Sequence, residues 1–381
     1  MRVLFVVNSL APGGTEQSTL LLAPHLRDRG VIVEIVTMKT AEHDLTEAAR
    51  RTGVSVVRLS GRSFARQAIE LRRIIGRSKP DVVHTALFEA DQLGRIAAWG
   101  TGVPVLSSFV NTPYDPARLM DPRVRRWKLR LVQGIDAFTA RLMTTRFHAV
   151  SEGVKRANGA ALRVRAGKIE VAERGRDIAA LGVRSVERRN SVRSALGIAP
   201  EAPVVLNLGR QEHQKGQIDL LDAASIMGES FPGLVVLVAG KDGSATESLA
   251  RRLGQDPDLS GHVRLLGHRE DVGDLLVAAD VLVISSHFEG TAGVALEAMV
   301  LETPIVSTAL AGLVGVLDDD RNAVMVERSN PASLAAGISR VIADAALGQR
   351  LAATAHQDFL DRFTLAAAAD RMADLYRRLS A

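Results

Sequence analysis

The 381-residue chain has no cysteine, which excludes disulfides and thiolate-bound metal centres. Aromatic residues are scarce, with two Trp and two Tyr. The basic stretches therefore have no interleaved rings on which nucleic-acid bases would stack, and nucleic acid is set aside as a partner. No uninterrupted apolar run approaches the length needed to cross a bilayer. The amino terminus passes from Met1 and Arg2 straight into the short apolar run 3–7, with no cleavage-like segment after it, unlike a secretory signal. The expectation is a soluble cytoplasmic protein, with the inner face of a membrane as an open place of work.

The chain is too long for one ordinary core, so two domains are expected. Short β-branched runs alternate with helical stretches. Strands are expected at 3–7, 31–37, 54–59, 81–84, 103–107, 146–150 and 168–172, and helices at 16–29, 65–77 and 91–99, among others. A polar, Arg- and Ser-rich stretch, 184–203, marks the junction. The alternation then restarts at 204–208, 234–239, 263–266, 281–284, 305–307 and 324–326, and 332–381 reads as largely helical. Strand–helix alternation of this kind predicts an α/β chain of two doubly wound parallel sheets in series. The expected domains are 1–183, 184–360 and a terminal helix at 361–381. Such folds bind ligands outside the carboxyl ends of their strands.

Charge is unevenly placed. Residues 1–190 carry 32 Lys and Arg against 18 Asp and Glu, a net of +14, and residues 191–381 carry 16 against 25, a net of −9. The basic excess peaks between Arg118 and Arg146, where Arg123, Arg125, Arg126, Lys128 and Arg130 alternate with Val124, Trp127, Leu129 and Leu131. Two readings are open for this segment. It is a basic amphipathic face for an anionic membrane or a phosphate-bearing acceptor, or it is a solvated helix whose Ile135, Phe138 and Leu142 pack inward.

Three loops carry candidate chemistry. The segment SSHFEGTAGVALEAMVLETPIVST runs from an apolar strand through a small-residue loop, Glu289 to Gly293, into an apolar helix. Gly290 and Gly293 let backbone N–H groups approach a ligand, and the free N–H groups at a helix start favour an anion. Glu289 and Glu297 flank this seat and offer carboxylates to hydroxyls; they also suit an ordinary acidic first helix turn. After the first strand of the second domain, Arg210 and Lys215 frame a loop in NLGRQEHQKG, two cations able to neutralise a diphosphate. After the first strand of the chain, Gly13 and Gly14 make a tight turn before a helix, a phosphate-type loop that matches neither GxGxxG nor the P-loop pattern. The acidic run Asp318–Asp320 reads as a turn rather than a metal site.

GGTE, GRQEHQKG, VAGKDG, VRLLGHREDV, AADVLVISSHFEG and LEAMVLETPIVST, in this order and spacing, resemble the large retaining glycosyltransferase family with the GT-B fold and the E-x7-E motif. The resemblance covers nearly the whole chain and is strongest over 203–310. It implies two Rossmann-like domains facing across a cleft, a terminal helix crossing back to the first, and a nucleoside-diphosphate sugar as co-substrate with no cofactor and no metal. Carried over by position, Arg210 and Lys215 would hold the donor diphosphate. Glu289 would bond hydroxyls of the transferred sugar. Backbone N–H groups of Thr291, Ala292 and Gly293 would meet sugar and phosphate, Glu297 the ribose, and the backbone near Arg269 the base. Gly13 and Gly14 would approach the phosphates from the first domain. The acceptor implied is a lipid-linked sugar or a saccharide of cell-surface glycan assembly.

The chain departs from that pattern in places. Val110 stands where many relatives carry a His, Arg174 replaces an Asn, and Glu302 replaces a Gly. His84 matches a His often seen in the family, and a hydrogen-bonded strand-end histidine is the other reading of it. These departures touch the acceptor side more than the donor phosphates. They also leave open a GT-B scaffold that binds nucleotide without turnover, and a sugar-nucleotide epimerase.

Overall fold

The computed structural model describes the whole chain apart from Pro12, Glu42, His43, Glu229, Thr291, Ala292 and Ala381. It divides into two compact units. The first comprises 1–115, 124–176 and 362–381, and the second comprises 116–123 and 177–361. The second unit thus begins at Asp177, ahead of the junction expected at 184, and takes in the short excursion 116–123 from the first half.

The first unit is built on seven strands: β1 Arg2–Val7, β2 Ile32–Thr37, β3 Ser55–Arg58, β4 Val82–Ala86, β5 Val105–Phe109, β6 Arg146–Ala149 and β7 Ile169–Val171. They form one sheet in the order β3-β2-β1-β4-β5-β6-β7. Every pairing in it is parallel. Parallel pairing needs a crossover between strands, and helices on both faces supply it. The two-residue period of β1 shows both coverings. Val3, Phe5 and Val7 belong to an apolar cluster shared with Leu20 and Leu26 of the helix Gly14–Asp28 and with Met372 and Tyr376 of the terminal helix Leu365–Ser380. Leu4 and Val6 face the opposite cluster, with Leu71, Ile75 and Leu93. The last helix of the chain is therefore part of the first unit's wall.

The second unit repeats the plan with six strands: β8 Val204–Leu208, β9 Val235–Ala239, β10 Val263–Gly267, β11 Val281–Ile284, β12 Ile305–Thr308 and β13 Val324–Val326, in the order β10-β9-β8-β11-β12-β13. Val205, Val236, Val238, Val283 and Val306 fill one face of this sheet with Leu220, Leu221 and Ile338. In each sheet the strand order reverses once, between β1 and β4 and between β8 and β11. At such a switch point the connections leave in opposite directions and open a crevice at the carboxyl ends of the strands.

Candidate functional site

The switch point of the second unit brings together two loops more than seventy residues apart in the chain. Val281 and Leu282 of β11 pair with Val205 and Leu206 of β8. The loop after β8, which carries Arg210 and Lys215, must therefore emerge beside the loop after β11, which carries Glu289 and Gly290. The two are stitched by backbone. The His287 N–H donates to the Gln214 carbonyl at 2.8 Å, the Gln214 amide donates to the Phe288 carbonyl at 2.8 Å, and the Ser285 hydroxyl donates to the Lys215 carbonyl at 2.8 Å. Gly216 makes this approach possible. Its φ is +58°, and a Cβ there would lie 2.1 Å from the Ser285 carbonyl oxygen.

At the centre, Lys215 forms an ion pair with Glu289, and the Ser286 hydroxyl donates to the same carboxylate oxygen at 3.0 Å. Glu289 is buried and Lys215 half-buried. Arg210 stands on the same loop with 67% of its side chain exposed, 3.6 Å from Glu212. The Glu212 carboxyl is held below the ordinary range, first by the Ser244 hydroxyl that donates to it. Gly293 opens the helix Gly293–Val300, and Glu297 lies half-buried one turn along it. Thr291 and Ala292, expected to offer backbone N–H groups, lie outside the described residues.

Sequence reading passed over two supports of this site. A Cβ on Gly312, in the turn Ala311–Leu313, would meet the Gly290 carbonyl oxygen at 2.0 Å and that of Glu289 at 2.3 Å. Gly312 is thus the floor on which the Glu289 loop rests, and a small residue before an apolar run was the only signal of it. The second support is around His287. The Arg328 guanidinium donates to its carbonyl at 2.7 Å and the Ser329 hydroxyl meets its Nδ1 at 3.1 Å. Asp219 lies 3.8 Å from that nitrogen; burial pushes the Asp219 carboxyl up and the His287 imidazole down. Arg269 is less central. It follows β10, at the sheet edge two strands from β8, and its guanidinium is engaged by both oxygens of Asp271 at 2.8 and 2.5 Å.

The first unit holds Gly13, Gly14 and His84 at its own switch point. The Glu16 side chain folds back toward the start of its helix, so a Cβ on Gly13 would lie 2.5 Å from its carboxylate oxygen. Burial raises the Glu16 carboxyl, while its own backbone N–H and the nearby Arg174 act in the other direction. Arg174, the residue in place of an expected Asn, is half-buried, and loss of solvent lowers it to about 10. Its guanidinium donates to the Thr15 hydroxyl at 3.0 Å. The anion seat that the double glycine announces is thus occupied by a carboxylate and a guanidinium of this chain.

His84 sits near the end of β4, 4% exposed. Its Nε2 meets the Ser108 hydroxyl at 2.6 Å, and that hydroxyl meets His148 Nδ1 at 2.7 Å. His148 Nε2 lies 2.7 Å from the Ala172 carbonyl. Burial lowers His84 well below its ordinary value and His148 to about 4, so both rings are neutral. The carbonyl can only accept, which fixes every proton in the row. His148 Nε2–H donates to Ala172, Ser108 donates to His148, His84 Nε2–H donates to Ser108, and the Tyr376 hydroxyl donates to His84 Nδ1 at 2.7 Å. Beside this row lies a mainly apolar recess of about 60 Å³, lined by Phe5, Leu22, Val110, Ala172, Arg174 and Met372, among others, room for a few waters.

No helix among the described residues is long and apolar enough to cross a membrane. Residues 188–358 match the family model described as Glycosyl transferases group 1, and residues 12–180 match the model described as Glycosyltransferase Family 4. The lipopolysaccharide core biosynthesis glycosyltransferase LpsE of Rhizobium meliloti is 33% identical over 178 residues, 47% of this chain and 51% of that protein. The D-inositol 3-phosphate glycosyltransferase of Xylanimonas cellulosilytica is 29% identical over 393 aligned positions, covering 96% of this chain and 91% of that one. Among solved structures, Anabaena HepE in complex with UDP and glucose superposes with a TM-score of 0.85 at 21% identity, over the whole of both chains. The fold class is GT-B.

Proposed function

We propose that this chain, a glycosyltransferase of the group 1 family, moves a sugar from a nucleoside-diphosphate donor to a lipid-linked or saccharide acceptor of cell-surface glycan assembly, with retention and without a metal. The observation that carries the proposal is the Lys215–Glu289 pair at the switch point of the second sheet. As the bond between sugar and β-phosphate breaks, negative charge grows on the departing diphosphate. A cation already aimed at the site stabilises that charge without reorganising. The Glu289 carboxylate, itself held by the Ser286 hydroxyl, keeps Lys215 in place before the donor arrives. Glu289 then bonds hydroxyls of the transferred sugar, while Glu297 takes the ribose and the exposed Arg210 adds a second cation to the phosphates. Gly290 and Gly293, without side chains, leave room for a ligand to approach the backbone beside them.

His84 enters the proposal as a positioning residue. Its two nitrogens are occupied and it is neutral, so it shapes the first unit's switch point rather than exchanging protons. The backbone near Arg269 borders the base. HepE, whose structure holds UDP and glucose, and LpsE, named for lipopolysaccharide core synthesis, support the donor and acceptor classes.

The test is transfer and donor hydrolysis by purified protein against UDP-, GDP- and ADP-sugars, with products resolved by anomeric configuration. Lys215→Ala and Glu289→Ala are each expected to lose about 10²–10³ in kcat. Equal rates in all three proteins would overturn the assignment. Conversion of the donor alone into an epimer would replace transfer with epimerisation.

A further inference from the structure

The helix Arg126–Met143 is amphipathic the wrong way round. Its buried positions are polar or small: Asp136, Thr139 and Ala140. Its exposed positions include Trp127, Leu131, Ile135, Phe138 and Leu142, which are 59, 57, 45, 55 and 53% exposed. At 100° per residue these five fall within one narrow stripe. The inward packing of Ile135, Phe138 and Leu142 considered from the sequence is therefore not what the fold does.

The inversion has an identifiable cause. Arg95, fully buried, donates from Nη1 to Asp136 at 2.5 Å and to the Thr139 hydroxyl at 3.1 Å. The Tyr114 hydroxyl donates to the other Asp136 oxygen at 2.6 Å. Turning the helix over to hide its apolar stripe would strand a buried guanidinium without its carboxylate, a cost of several kcal/mol. The polar face is locked inward and the apolar stripe is left in solvent.

The charges around the stripe say what covers it. Between Arg118 and Arg146 the chain has eight Lys and Arg and only two acidic residues, Asp121 and Asp136. Asp121 is bound by Arg123 at 2.8 Å, and Asp136 is the buried partner of Arg95. Arg125, Arg126, Lys128, Arg130 and Arg141 are all exposed. A second copy of the same helix would bring cation against cation. A surface that is apolar beneath and anionic on top suits the stripe and its flanks together. We propose that this helix is a bilayer-docking face. It lies in the interface of an anionic membrane, with the five apolar side chains among the acyl chains and the flanking cations on the headgroups.

This inference does not depend on the donor site, and its test does not use activity. Trp127 is one of only two Trp residues, the other being Trp99, so Trp99→Phe leaves Trp127 as the sole reporter. Full-length protein is mixed with vesicles of phosphatidylcholine alone or with about one third phosphatidylglycerol. The expected result is co-sedimentation and a blue shift of Trp127 emission with the anionic vesicles only, reversed by salt. Bromine-labelled acyl chains should quench that emission. Leu131→Glu with Phe138→Glu should abolish binding while the melting temperature stays put, because both side chains are exposed. Replacing Arg126, Lys128 and Arg130 by Gln should weaken binding about fivefold per charge. Absence of binding to anionic vesicles at low salt, or equal binding to neutral ones, would overturn the proposal. So would a wild-type dimer that the double Glu variant dissolves while vesicles are ignored.

Discussion

Each sheet sets a carboxylate beside a cation at its switch point, yet the two pairs are not equivalent. In the second unit Glu289 and Lys215 come from loops after β11 and β8, and the exposed Arg210 stands on the same loop as Lys215. In the first unit Glu16 is buried and Arg174 half-buried, with the acid raised and the guanidinium lowered by loss of solvent. There the Glu16 carboxylate accepts from its own backbone N–H and Arg174 donates to the Thr15 hydroxyl, so side chains of the chain itself take the helix start. Beside the second pair, Arg210 meets Glu212 only at 3.6 Å and keeps 67% of its side chain exposed, so its guanidinium stays open to solvent. On the proposed reading, the same topology yields one seat filled by the protein and one that takes a substrate.

Glycines break this comparison most sharply. Gly312→Ala would drive a Cβ into the carbonyls of Glu289 and Gly290, so the loop must shift. We expect a loss of about 3 kcal/mol of stability, seen as a fall of several degrees in melting temperature, with at least a tenfold loss of transfer. A variant that melts and works like wild type would show that the loop is not seated on Gly312.

Acid should weaken the first unit next. His148 has a folded-state value of about 4 against 6.5 for an ordinary histidine, so the unfolded chain takes up a proton more readily. The stability contribution is complete above about pH 6.5 and is lost as pH falls toward 4. Between pH 7 and 5 this amounts to about 2 kcal/mol, with His84 acting in the same direction. Thermal melts across that range should slope accordingly, and His148→Gln should flatten the slope. A flat wild-type profile would contradict the neutral hydrogen-bonded row.

The smallest effect is expected at Gly14, where an added Cβ meets nothing nearer than an Arg174 nitrogen at 3.7 Å. Gly14→Ala should leave melting within about 0.5 kcal/mol of wild type. Donor affinity measured on the same variant sharpens the comparison: a large loss would mean that the first seat also touches the phosphates closely.

Much of this was legible in the sequence. The strands announce themselves as short β-branched runs, and 204–208 and 281–284 agree residue for residue with β8 and β11. The loops of Lys215 and Glu289 were recognisable as strand-end loops. Their adjacency was not a local property, because it comes from the reversal of strand order between β8 and β11. Tyr376 donating to His84 across 292 positions belongs to the same class of long-range fact. For the helix Arg126–Met143 the sequence left an outward and an inward apolar face both open. Apolar periodicity reports one face of a helix, and the usual assumption is that this face turns inward. Here the buried Arg95 claims Asp136 for the interior and reverses the sense.

The central claim is that the diphosphate is held at the switch point of the second unit. Titration calorimetry of UDP, GDP and ADP into wild type and Lys215→Ala tests it most directly. The account predicts that one nucleotide binds wild type and that Lys215→Ala weakens it tenfold or more. Undiminished affinity in Lys215→Ala would contradict it.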